Sequence, residues 1–391
     1  MTGISRRVQG FTESVIREMT RVVSQLGGVN LAQGMPNFPP PADLLEAAHR
    51  AIDGDFHQYA ITWGTPALRR AIADKYRRFY GMDVDPEQHV TVCCGSTETM
   101  LSTLLAVLNP GDEVVIFEPF YENYGPGCII AGATPVWVPL EPPDFGFDPD
   151  RLRRSVSPRT KAIVFNSPNN PSGKVFSRAE LQVIADVCQE HDLLAITDEI
   201  YEHIVYDGHG HTPIATLPGM AERTITISGI SKSYSVTGWR VGYAVAPPEL
   251  SVGLRRAHDF VTVGAPHPLQ EAAVTALRFA DEYYVGLREG YQRRRDLLWR
   301  YIESAGFVAW KPSGAYYILT DAARFMKAAG VNDDYAFAMW LIKECGVATV
   351  PGSSFYAHGE LGRTKIRFCF PKTDDVLTEA GERLQKLRRL I

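Results

Sequence analysis

Cysteine is scarce in this chain: six residues in 391, none in a C-x-x-C pair. Cys93, Cys94, Cys128, Cys188, Cys345 and Cys369 are scattered and sit mostly inside apolar runs, so they read as reduced core thiols of a cytoplasmic protein. Basic charge is not in excess either. Forty Lys and Arg stand against 45 Asp and Glu, a net charge of -5, which leaves no footprint for nucleic acid. No apolar run is long enough to cross a bilayer, so no membrane association is expected. Met1 to Arg7 carries basic residues without an apolar run behind them, so no secretory signal is expected. Internal repeats and low-complexity linkers are also lacking. His209 and His211 form an H-x-H, but two histidines without further ligands do not make a metal site. A glycine-rich surface turn is expected there, and no metal.

The length is what two or three domains require, and the composition, 45% hydrophobic and 22% charged, is that of a globular protein. Helical spacing runs from Thr12, a candidate N-cap, to Leu26, and again over Ala42–Ile52 and Pro66–Tyr80. An alternation follows. Short apolar, β-branched runs at His89–Cys94, Glu113–Phe117, Thr134–Pro139, Lys161–Asn166, Leu193–Thr197, Thr224–Ser228 and Arg240–Val245 predict strands, several of them separated by helical patterns. This is the signature of an α/β fold with a largely parallel sheet between helices. After Pro247 the pattern turns helical, over Gln270–Ala280 and Glu282–Glu303. It then becomes α+β, with strands at Gly314–Thr320, Val347–Val350 and Lys365–Phe370, a helix at Tyr335–Glu344 and a final helix at Asp375–Leu390.

Ligands of such sheets gather at the carboxyl ends of the strands, so the polar clusters there are the candidates for chemistry. Lys232, in Ser228-Gly229-Ile230-Ser231-Lys232-Ser233-Tyr234, lies just past an apolar run among small residues that solvate it poorly. A desolvated lysine loses its proton readily and becomes a nucleophile toward aldehydes, of which pyridoxal phosphate is the common cofactor example. Gly95-Ser96-Thr97 opens a helix whose free N–H groups suit a phosphate, or simply caps it. Tyr121 stands where an aromatic can stack on a ring or pack in a core. Asn170 sits in a loop stiffened by Pro168 and Pro171. Asp198 ends an apolar strand, where a carboxylate needs a cation such as a protonated pyridine, unless it caps a helix. Arg240 can grip a dianion bidentately. Arg367, inside an apolar strand, needs an anion: a substrate carboxylate or a structural partner.

Taken together, Asn166-Ser167-Pro168-Asn169-Asn170-Pro171, Asp198-Glu199-Ile200-Tyr201, Ser231-Lys232, Gly238-Trp239-Arg240-Val241-Gly242 and Arg367-Phe368 resemble the class I/II pyridoxal-phosphate aminotransferases of fold type I. The resemblance covers essentially the whole chain. Gln33-Gly34-Met35-Pro36-Asn37-Phe38-Pro39, Val205-Tyr206-Asp207-Gly208 and Leu217-Pro218-Gly219-Met220 are most similar to the kynurenine aminotransferase, glutamine transaminase K and methionine aminotransferase group. It implies that Lys232 binds the cofactor's aldehyde and then moves the proton, and that Asp198 keeps the pyridine nitrogen protonated. It implies that Tyr201 and Asn170 bond the ring's O3′, that Tyr121 stacks on the ring, and that Ser96, Thr97, Ser231 and Arg240 hold the phosphate. Arg367, with Asn170 and the backbone at Gly34, is implied to take the substrate α-carboxylate. Tyr59 is implied to reach the phosphate of a neighbouring subunit, hence a homodimer. The implied substrates are amino acids and 2-oxo acids. A neutral, apolar or aromatic donor is expected, because no second arginine stands out for a distal carboxylate. A cysteine-conjugate β-lyase shares this scaffold, and a non-catalytic regulator sensing pyridoxal phosphate or an amino acid is the reading from another class. The implied division is a large cofactor domain over 46–289 and a small domain of 1–45 with 290–391. Two departures stand out: Gly229 and Ser96 occupy positions where many or some relatives carry serine and tyrosine.

Overall fold

β-Branched and aromatic residues are frequent in five runs between Glu113 and Gly229; four of them are buried along nearly their whole length, and the edge run Thr134–Pro139 only at its last two residues. The structure, a computed structural model, describes residues 3–5, 7–11 and 13–390. Its strands, in chain order, are β1 (Val29–Asn30), β2 (Val90–Cys93), β3 (Glu113–Glu118), β4 (Thr134–Pro139), β5 (Thr160–Asn166), β6 (Leu194–Asp198), β7 (Thr224–Gly229), β8 (Gly242–Val245), β9 (Val308–Trp310), β10 (Tyr317–Asp321), β11 (Val347–Ala348), β12 (Val350–Pro351) and β13 (Lys365–Cys369). Seven of them form one sheet in the order β2-β8-β7-β6-β5-β3-β4. The β3 to β7 pairings are parallel, while β8 runs antiparallel between β2 and β7. Apolar clusters cover both faces, which is why these strands read as continuous apolar runs rather than alternating ones.

Helices α1 (Val15–Leu26), α2 (Ala42–Asp53), α3 (Pro66–Tyr80), α4 (Ser96–Val107) and α5 (Tyr124–Ala131) precede or flank this sheet. α3 shows how sharply sequence sets an end. Thr65 Oγ1 accepts from the Leu68 N–H, Pro66 occupies the first turn, and Gly81 closes the helix in the left-handed region. The candidate N-cap Thr12 lies outside the described residues; α1 begins three residues later, after Ser14. The C-terminal part builds a four-stranded antiparallel sheet, β12-β13-β10-β9, and β1 pairs in parallel with β11. The N-terminal segment therefore shares a core with the C-terminal strands, with Met19, Leu31, Ile318, Leu341 and Phe368 among its buried members.

Several boundaries differ from expectation. Arg240 stands outside β8, as the left-handed residue after a short 3-10 turn at Thr237–Trp239. Val347–Val350 is two strands, β11 and β12, in different sheets. The last helix ends at Leu384 and continues as a 3-10 turn. Among the helices that escaped the sequence reading are α5, whose Gly125, Pro126 and Gly127 mimic a loop, and Pro248–Thr262; the short helices Pro149–Arg154, Ala323–Ala329 and Gly359–Gly362 escaped it too. The ends of β5, β6 and β7 are in register, with Asn166 opposite Asp198 and Asp198 opposite Ile227. Polar residues at or just beyond those ends therefore face one crevice.

Candidate active site

The crevice is a cavity of about 530 Å³ lined by Lys232, Asp198, Tyr201, Asn170, Arg367, Ser231, Tyr121, Arg240, Ser96, Thr97 and Gly34, among others. Every expected site residue except Tyr59 lines it. Tyr59 is 86% exposed and stands outside the cavity of its own chain.

Lys232 Nζ donates to the Gly34 carbonyl at 3.3 Å and faces the rings of Tyr201 and Tyr316 at 5.8 and 5.6 Å. Burial pulls its ammonium down to about 8; Asp198 opposes the shift, and Arg240 and Arg367 add to it. Only the neutral amine attacks an aldehyde. The rate at which apoprotein captures an aldehyde through Lys232 is therefore expected to climb as pH rises through about 8 and to level off above it. Stopped-flow absorbance checks this; a midpoint at the ordinary lysine value of 10.5 contradicts it.

Asp198 is buried at the end of β6. Its Oδ2 accepts from the Tyr124 hydroxyl at 2.7 Å and its Oδ1 from the Ile200 N–H at 3.2 Å. Burial pushes its carboxyl up, while Tyr124, the Ile200 N–H and the charge of Lys232 pull it back. A carboxylate placed so needs a cation in the cavity. Tyr124 was not found from sequence, because it lies on α5, the helix disguised by glycine and proline.

An anion cradle lies beside them. α4 points its free N–H groups into the cavity at Ser96 and Thr97, and its first acid, Glu98, folds away to accept from the Cys94 N–H and from His258. Backbone and guanidinium meet very closely here. A Cβ on Gly95 (φ +83°) would lie 2.3 Å from Arg240 Nη2, and one on Gly242 would lie 2.5 Å from Ser96 N. Only glycines permit that approach. Ser231 is buried at the same wall. Ser228 does not stand in for the serine lacking at position 229: its hydroxyl donates to Glu202 Oε1 at 2.6 Å, on the other side of β7. At Gly229 a Cβ would stand 2.9 Å from the Val241 carbonyl, so the departure at that position follows from crowding.

Arg367 is fully buried on β13 and has no carboxylate partner among the described residues. Nη1 donates to Asn170 Oδ1 at 2.8 Å, Nη2 to the Ala32 carbonyl at 2.5 Å, and Nε has no partner. Its guanidinium lies over Tyr317 and Phe355, at 4.3 and 4.8 Å from the ring centres. Asn170 is aimed by its own backbone: its N–H donates to Asn166 Oδ1 at 2.7 Å, and Asn166 Nδ2 donates to the Asp198 carbonyl at 2.7 Å. A hydrogen-bonded chain thus runs from the end of β6 to the arginine. Tyr201 reaches the Tyr317 hydroxyl at 2.9 Å. Arg17 also lines the cavity and was not found from sequence, because α1 shows only ordinary amphipathic spacing.

A sequence profile described as aminotransferase class I and II matches residues 27–384. The chain belongs to that family. It is 37% identical to kynurenine–oxoglutarate transaminase 1 of Homo sapiens, over 98% of this chain and 97% of that one. It is 35% identical to the methionine aminotransferase of Escherichia coli, over 96% of each. The solved structure of N-succinyldiaminopimelate aminotransferase from Mycobacterium tuberculosis superposes with a TM-score of 0.94 at 40% identity, covering 99% of this chain and all of that one. The protein is thus an aminotransferase with the fold type I architecture, and its substrates are amino acids and 2-oxo acids. Family membership implies pyridoxal phosphate as cofactor. The donor set fits it: a depressed buried amine for the aldehyde, a buried carboxylate for the ring nitrogen, and a glycine-lined cradle with an arginine for the phosphate.

One expectation is corrected. The tip of the H-x-H turn, Asp207 to Gly210, is exposed, but the His211 side chain is only 2% exposed and reaches Glu199 Oε2 at 2.8 Å. It belongs to the interior, not to the surface turn. No helix among the described residues is long and apolar enough to cross a membrane.

Proposed function

We propose that the chain transfers the amino group of an L-amino acid to a 2-oxo acid with pyridoxal phosphate held at Lys232, in a ping-pong scheme where the first product leaves before the second substrate enters. The observation that carries this is Arg367: a fully buried guanidinium without an anionic partner among the described residues, facing the same cavity as Lys232 and Asp198. A substrate α-carboxylate completes it.

When bound, pyridoxal phosphate supplies an aldehyde that takes the amino group and a protonated ring that accepts electron density. The protein does the rest. Arg240, the α4 N–H groups, Ser96, Thr97 and Ser231 anchor the phosphate. Asp198, braced by Tyr124, keeps the ring nitrogen's proton. Tyr201 and Asn170 would hold the ring's hydroxyl oxygen, and Tyr121 would pack against the ring. Arg367, aimed with Asn170, fixes the α-carboxylate so that the Cα–H points at Lys232 Nζ, which removes and returns the proton. The division expected from sequence serves this reading. Residues 46–289 carry the cofactor, and 1–45 with 290–391 bring Arg367 and Gly34 over it. A second copy of the chain supplies Tyr59, making a homodimer with shared sites.

The donor side chain is neutral, apolar or aromatic, in keeping with the relatives named for kynurenine and methionine. Arg17 adds a second feature to this reading. It is exposed, lines the cavity and has no ion-pair partner among the described residues. It suits the second carboxylate of an acceptor such as oxoglutarate, the 2-oxo acid in the human relative's name. Arg17→Gln is expected to lower kcat/KM for a dicarboxylic 2-oxo acid by about tenfold, one exposed charge-assisted contact, and to spare pyruvate. Equal losses for both acceptors contradict that role.

The proposal is tested by a single-turnover screen of amino acids against holoenzyme, read by the cofactor's absorbance and by 2-oxo acid release. Neutral and aromatic amino acids are expected to react fastest. No 2-oxo acid from any donor, or aspartate as far the best, overturns it.

A further inference from the structure

Gly34 brings backbone rather than side chain to the cavity, and the segment that carries it belongs to no helix or strand. Cys369 N–H donates to the Leu31 carbonyl at 2.9 Å and Asn37 N–H to the Pro371 carbonyl at 3.3 Å, so the segment runs along the end of β13 and the residues after it. Between these ties Met35 N–H donates to the Gln33 carbonyl at 2.8 Å, a three-residue turn with Gly34 at its apex. The turn has no slack against β10: a Cβ on Gly34 would lie 2.1 Å from the Tyr317 hydroxyl oxygen.

Every carbonyl of residues 32–35 is taken by a side chain. Ala32 accepts from Arg367 Nη2 at 2.5 Å, and Gly34 from Lys232 Nζ at 3.3 Å and the Tyr316 hydroxyl at 2.8 Å. Arg367 and Lys232 are the two residues on which the proposed reaction rests. The alternate carbonyls go elsewhere. Lys372 Nζ donates to Gln33 at 3.3 Å and to Met35 at 2.8 Å, and the Cys369 thiol adds a weak bond to Gln33 at 3.2 Å. Lys372 is 5% exposed, stands outside the cavity and has no carboxylate partner among the described residues. A buried amine without an acid is costly unless other acceptors take its N–H groups. Here both acceptors come from a single turn. The backbone of Lys372 is itself fixed, its carbonyl accepting from Arg294 Nε at 3.0 Å.

We propose that Lys372 is a positioning residue for both halves of the site: by tying back the Gln33 and Met35 carbonyls, it sets the Ala32 and Gly34 carbonyls on which Arg367 and Lys232 are seated. It touches neither cofactor nor substrate and acts through the backbone of 32–35. What the role needs is its N–H donors. The inference rests on the reading of Lys232 as the reacting amine and of Arg367 as the carboxylate site.

The test uses the full chain. Lys372→Met keeps the stem and loses the donors, and two readouts follow it. The first is the rate at which apoprotein captures pyridoxal phosphate, against pH. The Gly34 carbonyl accepts from the Lys232 amine and so favours its protonated form. A displaced turn loses that bond, and the midpoint is expected to fall by about half a pH unit from wild type. The second is the affinity of holoenzyme for 3-phenylpropionate, a carboxylate with no amine to react. Its dissociation constant is expected to rise about tenfold, because Arg367 loses its alignment. Cofactor affinity is expected to stay within about twofold of wild type, since the phosphate cradle is untouched. A purely structural role predicts lower thermal stability with both readouts unmoved, or equal losses of cofactor and probe affinity. A wild-type value in either readout overturns the proposal, as do equal losses. Wild type is measured first. If it captures no cofactor, or if Arg367→Gln binds the probe equally well, the reading of the site fails, and not this inference. Should Lys372→Met not fold, a crystal structure of wild-type holoenzyme with 3-phenylpropionate decides: Lys372 Nζ on both carbonyls supports the proposal, and Nζ turned away from either overturns it.

Discussion

Lys232→Ala is expected to slow the amino-transfer half-reaction by about four orders of magnitude and to abolish the visible absorption of the lysine-bound cofactor. The size follows from two lost functions. The same Nζ captures the aldehyde and moves the Cα proton, and alanine does neither. No other lysine among the described residues lines the cavity, so the protein offers no substitute. Cofactor retention is expected to survive in part, because the phosphate cradle and Asp198 are untouched. Single-turnover kinetics with excess amino acid check the rate, and added methylamine is expected to recover part of it. A variant that keeps both the absorption and the half-reaction shows that Lys232 is not the reacting amine.

Arg367→Gln carries the second large effect, and it falls on substrate rather than cofactor. The guanidinium offers its charge and a free Nε in a fully buried site, with two aromatic faces and Asn170 holding its plane. Losing a bidentate charge-assisted contact with a buried carboxylate costs about 3–5 kcal/mol, or about two to four orders of magnitude in kcat/KM. Asn170 would also lose the donor its Oδ1 accepts from, so the loss reaches past a single contact. Cofactor affinity is expected to change little. Arg367→Lys is expected to recover little, since an ammonium cannot form the planar fork. Steady-state kinetics with amines that lack a carboxylate separate the roles: such donors are poor for wild type and no poorer for the variant. A uniform loss for all donors contradicts carboxylate recognition.

Much of this site was readable before the fold was known, and the reason is geometric. Parallel strands put their carboxyl ends on one side, so Asn166, Asp198 and Lys232 announce a shared address by each following a short apolar run. Arg367 was visible because a guanidinium in an apolar strand conflicts with its surroundings and so asks for a ligand. What stayed hidden is what only three-dimensional packing makes. Tyr124 and Arg17 sit on helices whose sequences look like a loop and like a plain amphipathic surface. The Gly95–Arg240–Gly242 approach depends on β2 and β8 lying side by side, which pairing and not pattern determines. His211 reads as solvent-facing because glycines surround it. Its partner Glu199 lies 12 residues earlier, and the inward turn appears only once both are placed.

The central claim is that Lys232 holds pyridoxal phosphate opposite Asp198 and within reach of an α-carboxylate at Arg367. Borohydride reduction of the holoenzyme, followed by proteolysis and mass mapping, tests it most directly. The expected result is one reduced cofactor per chain on the peptide carrying Ser231-Lys232-Ser233, with labelling lost when a neutral amino acid is added before the reductant. Labelling at a different lysine, or none at Lys232 in protein that has bound the cofactor, would contradict the account.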